Sequence, residues 1–246
     1  MPYTATQIVT LATQTAKVPS WLTQAGQLLN MVLNELCTDY NLAVNRKTFN
    51  FTFNSSAGIN YGPYTLPTDW LRADKNDVYY TILGVKYVMI AETLAQFNAQ
   101  VQQPGLAQYP QYFAVDNSPI ATGAAPVMYI WPPAAGSYPV TAVYFAQMPE
   151  IANPESSSTI PWFPLQLYIL RRVTGELMLM SGDDRAQMFL GGETPQGGST
   201  FLGAAAILHR YLKNEGDTQA VKQVTLDRRS FSPSWRDAPN TKTIGW

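Results

Sequence analysis

The residues of this chain that could do chemistry are few, and each has a plain structural use where it stands. There is one histidine, His209, in a helical run beside Leu208 and Arg210, and one cysteine, Cys37, on the apolar side of an earlier helix. Zinc sites take three or four protein ligands, so a metal here would have to lean on carboxylates. A serine nucleophile needs a base and an orienting acid, and no Gly-X-Ser-X-Gly elbow is present. Paired carboxylates suffice for glycoside hydrolysis, and Asp183-Asp184 is the obvious pair. Adjacent aspartates that open a helix, however, cap its free N–H groups and suit its positive end. Asp69, Asp74 and Asp77 cluster after Pro67, where Asp serves turn geometry, without the spacing or glycine of a calcium loop. The glycine-rich run 191–199 lacks the Lys-Ser or Lys-Thr of a phosphate-binding loop and reads as a helix connection. The expectation is a chain with no enzyme activity, no cofactor and no metal.

Composition points toward assembly. Charged residues make up 13% of the 246 residues, against about 25% in ordinary globular chains, while apolar residues stand at a normal 46% with 12% aromatic. A neutral, ring-rich surface costs less to desolvate than a charged one, and interface cores show this composition. A net charge of −1 gives no electrostatic grip on phosphates. Cys37 has no partner for an intrachain disulfide and behaves as a small hydrophobe. The N-terminal residues lack the basic start and apolar core of a secretory signal. The apolar window 162–180 carries Arg171, Arg172 and Glu176, which disfavours a membrane span. The expected setting is the cytoplasm or an assembled particle.

The elements follow from periodicity. Residues 4–17 predict a short helix with Ile8, Leu11 and Ala12 on one side, and Val18-Pro19 ends it. Ser20 is the expected N-cap of a second helix whose stripe is Trp21, Ala25, Leu28, Val32 and Leu36. From Thr48 the period drops to two, with Phe49, Phe51 and Phe53 on one face. Tyr64 and Leu66 extend into Pro67, and residues 78–90 alternate around Gly84 as two strands or one bent strand. A short helix over 91–100, a strand over 112–115, and strands over 127–131 and 140–145 complete a small antiparallel sheet or sandwich. A helix running to Met180 is predicted with Pro161 and Pro164 in its first turn and Trp162, Leu165, Ile169, Val173, Leu177 and Met180 on one face. Another helix carries Phe201, Ala205, Leu208 and Leu212, and residues 218–226 extend it. The fold class is α+β. Residues 1–46 and 160–227 are expected to form a discontinuous helical bundle, 47–159 an inserted antiparallel β module, and 228–246 an extended C-terminal arm holding Arg228, Arg229, Phe231, Trp235, Arg236 and Trp246.

The segment Tyr64-Thr65-Leu66-Pro67-Thr68-Asp69-Trp70-Leu71-Arg72 with Val78-Tyr79-Tyr80, the run Met128-Tyr129-Ile130-Trp131-Pro132-Pro133, and the Ser-rich step into Ile160 resemble head-to-tail adaptor proteins of short-tailed bacteriophages, also called connector or tail accessory proteins. The resemblance implies a virion protein, made in the host cytoplasm, that assembles as a homo-oligomeric ring, a dodecamer, under the portal protein. It implies that the ring extends the DNA channel, lets double-stranded DNA pass without specific binding, and offers a docking surface to a tail nozzle or tail tube protein. The arm residues named above are then expected at the portal or a neighbouring subunit, where Trp and Arg dominate hot spots. Leu66, Pro67, Asp69, Trp70, Leu71 and Arg72 are expected to turn and pack the chain. The competing class is a carbohydrate-recognising tail or fibre module that reads sugar with Tyr79, Tyr80, Tyr112, Tyr129 and Trp131. A carboxylate-based hydrolase using Asp183 or Asp184 is a third.

Overall fold

The computed structural model describes residues 2–54, 61–101, 109–191, 193–196 and 199–218. The fold is α+β, in two compact units: residues 1–33 with 151–246, and residues 34–150.

In the first unit, N-terminal helices pack with C-terminal ones: α1 (Ala5–Thr15) and the start of α2 (Leu22–Asp39) lie against α4 (Gln166–Ser181), which also packs on α5 (Ala186–Leu190) and α6 (Ala204–Thr218). The seams are apolar residues at helical spacing. Ile8, Val9 and Ala12 of α1 are buried, as are Ala25, Leu29, Val32 and Leu33 of α2 and Ile169, Val173 and Leu177 of α4. Thr4 and Gln7 close α1 with a capping box. Its first turn donates onward, Ala5 N–H to Thr159 O at 2.8 Å and Thr6 Oγ1–H to Ser157 O at 2.6 Å.

Several expectations need correction here. α2 starts at Leu22, so Trp21 rather than Ser20 stands at the cap position. Pro161 and Pro164 precede α4 instead of sitting in its first turn. The exposed Met180 lies off the buried stripe, which Met178 closes. The stretch read as a connection between helices forms a hairpin, β9 (Glu193–Gln196) with β10 (Ser199–Leu202), so Phe201 is a strand residue. Its ring lies under the Arg171 guanidinium, 4.1 Å from the centroid. The proposed extension beyond Thr218 lies outside the described residues.

The second unit is a sandwich. One sheet has the order β1-β8-β3-β4, from β1 (Arg46–Thr52), β8 (Pro139–Ala146), β3 (Trp70–Ile82) and β4 (Val85–Val88). The other has the order β2-β7-β6-β5, from β2 (Tyr64–Thr65), β7 (Val127–Trp131), β6 (Tyr112–Asp116) and β5 (Ile90–Ala91). Pairing is antiparallel except for β5 beside β6, and α3 (Leu94–Val101) lies on the second sheet. Both sheets feed one core that includes Phe53, Trp70, Val78, Tyr80, Phe113, Met128, Ile130, Val140 and Ala142, the alternation expected of strands with one buried face. Asp74 and Asp77, expected at a turn, lie inside the long strand β3, where the register against β8 shifts between Ala73 and Val78.

Candidate assembly surface

The chain turns from β3 into β4 through Leu83 and Gly84, at φ 49° and 83°. A two-residue hairpin turn of this kind needs positive φ at both positions, which Asn-Gly or Asp-Gly normally supply. Glycine enters that region freely, whereas leucine pays roughly 1–2 kcal/mol for it. Leu83 is also fully exposed, at 101%. Val85, Tyr87, Val88 and Ile90 around it are exposed as well. An apolar side chain held in strained backbone and pushed into water is disfavoured twice in a solitary chain, which makes this hairpin the candidate contact surface.

The hairpin is braced on both faces. On the core face, Tyr87 stacks on Tyr80 at 5.4 Å and 11°, Tyr80 on Tyr138 at 5.5 Å, and Tyr109 completes the group against Tyr87 and Tyr138. Burial, with the neighbouring tyrosines adding to it, pushes the Tyr80 hydroxyl up to about 12. On the outer face, Lys86 Nζ sits 3.7 Å from the Tyr79 ring centroid and 3.5 Å from Asp77 Oδ1. Arg46 of β1 reaches over β8 to Asp74 at 3.0 Å and to Asp77 in a shorter contact. These pairs hold the irregular stretch of β3, which has lost ladder bonds at its register shift.

Residues 66–72 are also positioning residues. Leu66 is buried, and Pro67 O accepts from Trp70 N–H at 3.1 Å to close the turn. Asp69 accepts from Tyr144 Oη at 2.9 Å and from Lys47 Nζ at 2.6 Å. Partial burial works to raise its carboxyl, but those two partners outweigh it and hold Asp69 below the usual carboxylate range. Tyr144 responds in the opposite sense: burial first, then the Asp69 contact, push its hydroxyl up to about 12. Trp70 stacks on Tyr144 at 4.7 Å and 13°, and Leu71 is half-buried. Arg72 leaves the sheet and donates to Thr38 O, Tyr40 O and Asn41 Oδ1, each at 2.7 Å, with its guanidinium over the Phe145 ring.

The remaining candidates do not converge. Arg228, Arg229, Phe231, Trp235, Arg236 and Trp246 lie outside the described residues. Asp183 does not cap α5: its carboxylate accepts from Arg185 N–H and clasps the Arg185 guanidinium, which holds it down at about 2. His209 is exposed on α6. Cys37 is fully buried, and burial pushes its thiol up, the condition of an unreactive structural cysteine. Among the described residues no group of three or more His, Cys, Asp or Glu could hold a metal. Of the five rings proposed as a sugar platform, Tyr80 is in the core and Tyr79 is under Lys86 on the outer face of its sheet. Tyr112, Tyr129 and Trp131 share the non-core face of the second sheet, Tyr112 opposite Trp131, where Tyr129 packs on Phe97 and Trp131 stacks on Tyr61.

Sequence reasoning passed over Leu83. Its signal was present in the apolar residue occupying an Asn or Asp position between two alternating runs.

Among the described residues no helix is long and apolar enough to cross a membrane. No curated protein matches the chain. The model of the SU10 adaptor protein family matches residues 3–227. The match covers nearly the whole chain, and the chain belongs to the SU10 adaptor protein family of phage head-to-tail adaptors.

Proposed function

We propose that this adaptor assembles as a homo-oligomeric ring, a dodecamer, on the portal protein, extends the DNA channel and presents the surface on which a tail nozzle or tail tube protein docks. The observation that carries the reading is the family match across residues 3–227. The exposed hairpin apex at Leu83 supports it, because it is a surface without a use in one isolated chain. The net charge of −1 agrees with a lumen through which DNA slides without being held.

In this reading the arm, residues 228–246, docks on the portal or a neighbouring copy with Arg228, Arg229, Phe231, Trp235, Arg236 and Trp246 as anchors. The test is mass photometry and negative-stain imaging of the chain mixed with portal rings. Ring-on-ring complexes are expected for the full chain, and removal of residues 228–246 should abolish them without unfolding the bundle. A chain that stays solitary beside the portal, or that turns over a glycan, overturns the reading. Unchanged docking of the truncated chain overturns the role of the arm alone.

A further inference from the structure

Among the described residues the sheet β1-β8-β3-β4 has two open edges, and they match each other. Its strands alternate in direction throughout, since β1 pairs antiparallel with β8, β8 with β3, and β3 with β4. With an even number of alternating strands, β4 of one copy and β1 of the next run in opposite directions when copies repeat head to tail.

The backbone groups agree as well. In a two-residue hairpin the pair flanking the turn exchanges both bonds and the pattern then alternates. Ile82 with Val85 and Tyr80 with Tyr87 are therefore bonded pairs, and Met89 N–H donating to Val78 O continues the series. The N–H and C=O of Lys86 and Val88 therefore point out of the sheet. On β1, Phe53 N–H donates to Tyr138 O, so Phe51 and Phe49 are bonded inward and Thr48, Asn50 and Thr52 point outward. Among the described residues none of these outward backbone groups has a backbone partner.

The faces agree too. Lys86, Val88, Thr48, Asn50 and Thr52 all lie on the outer face of the sheet, so pairing them keeps core face beside core face. Val85 and Tyr87, 54% and 41% exposed, then come beside the half-buried Phe49 and Phe51 of the neighbour. A lysine on an edge strand usually guards against such pairing. Lys86 does not stand guard here, because its ammonium is folded back over Tyr79 and toward Asp77.

We infer that β4 of each copy adds to β1 of a second copy of this chain, joining the sandwiches head to tail into one continuous sheet. The inference rests on the reading of the chain as a ring-forming adaptor and names the contact that would close the ring. A head-to-tail contact is heterologous, so it closes a ring or runs on as a filament.

Val88→Pro and Thr48→Pro each remove one outward N–H without touching a bond inside the sheet. With portal rings present, wild-type chain should assemble into its ring, and each variant alone should lose every contact between copies, leaving at most single chains held on the portal by the arm. Mixed together, the two variants should recover one mixed pair and nothing larger, because each retains the edge that the other lacks. Wild-type assembly with unimpaired proline variants overturns the edge pairing and leaves the adaptor reading standing. Wild-type chain that never assembles overturns both. If circular dichroism shows that either proline variant has lost its sandwich, single variants Val88→Cys and Thr48→Cys take over, joined by a short bismaleimide. Cross-linking only in the mixture supports the inference. Cross-linking of Val88→Cys with itself, the mark of a two-fold dimer, or cross-linking in no sample, overturns it.

Discussion

Replacing Arg72 by methionine removes a guanidinium from the end of a helix and leaves its hydrocarbon in place. α2 ends at Asp39, and the last carbonyls of a helix lack intrahelical partners. Arg72, from β3, supplies donors to Thr38 O and Tyr40 O and a third to Asn41 Oδ1, all at 2.7 Å. Its positive charge also opposes the negative pole of the helix. A hydrogen bond to a charged group contributes about 1.5–3 kcal/mol net. The site is half-open to water, which pulls each bond toward or below the low end. Three bonds then come to about 2–4 kcal/mol. Methionine keeps contact with Phe145, so the loss measures the polar head. Lysine keeps the charge and reaches one acceptor, so Arg72→Lys should lose about half as much. At about 2–4 °C per kcal/mol for a chain of this size, Arg72→Met should lower Tm by roughly 4–16 °C. Urea unfolding followed by tryptophan fluorescence reads both variants. Arg72→Met within about 0.5 kcal/mol of wild type, or lysine no better than methionine, would refute the capping argument.

Two further outcomes follow from geometry. Thr4→Ala opens the capping box of α1 and should cost about 1 kcal/mol by urea unfolding, while Thr4→Ser should cost little. Tyr80 and Tyr144, both held at about 12, should stay protonated in a titration at 295 nm past pH 10, where an unperturbed tyrosine ionises. Between pH 10 and 12 the unfolded chain binds fewer protons at these positions than the folded one, so their contribution is whole below pH 10 and falls as pH rises to 12. Tyr144→Phe should flatten that alkaline loss, and an unchanged slope would show that Tyr144 is not coupled to folding.

The strands with regular alternation were legible because their periodicity is local. Phe49, Phe51 and Phe53 announce β1, and Val78, Tyr80 and Ile82 announce the end of β3. The first half of β3 was not legible. Arg72, Asp74 and Asp77 are poor strand residues by composition, and the partners that seat them, Arg46 and the end of α2, come from elsewhere in the chain. The β9–β10 hairpin was hidden by glycine and proline, which read as a connection. Alternation around Gly84 placed Tyr87 in a strand, yet its stack with Tyr80, Tyr109 and Tyr138 joins residues far apart in sequence. Exposure of Leu83 depends on where the sheet stops, which no local pattern encodes.

The β module leaves the chain and rejoins it at one spot. Arg46, where β1 begins, stands opposite Phe145 near the end of β8, and Asn34 Oδ1 accepts from Gln147 Nε2 at 2.6 Å. About 5 Å separates neighbouring strands, so a short turn could span the gap if everything between were cut out. The lobe is thus a cassette with adjacent ends. Such a lobe can be exchanged for another at one point of the sequence without rethreading the helices on either side of it.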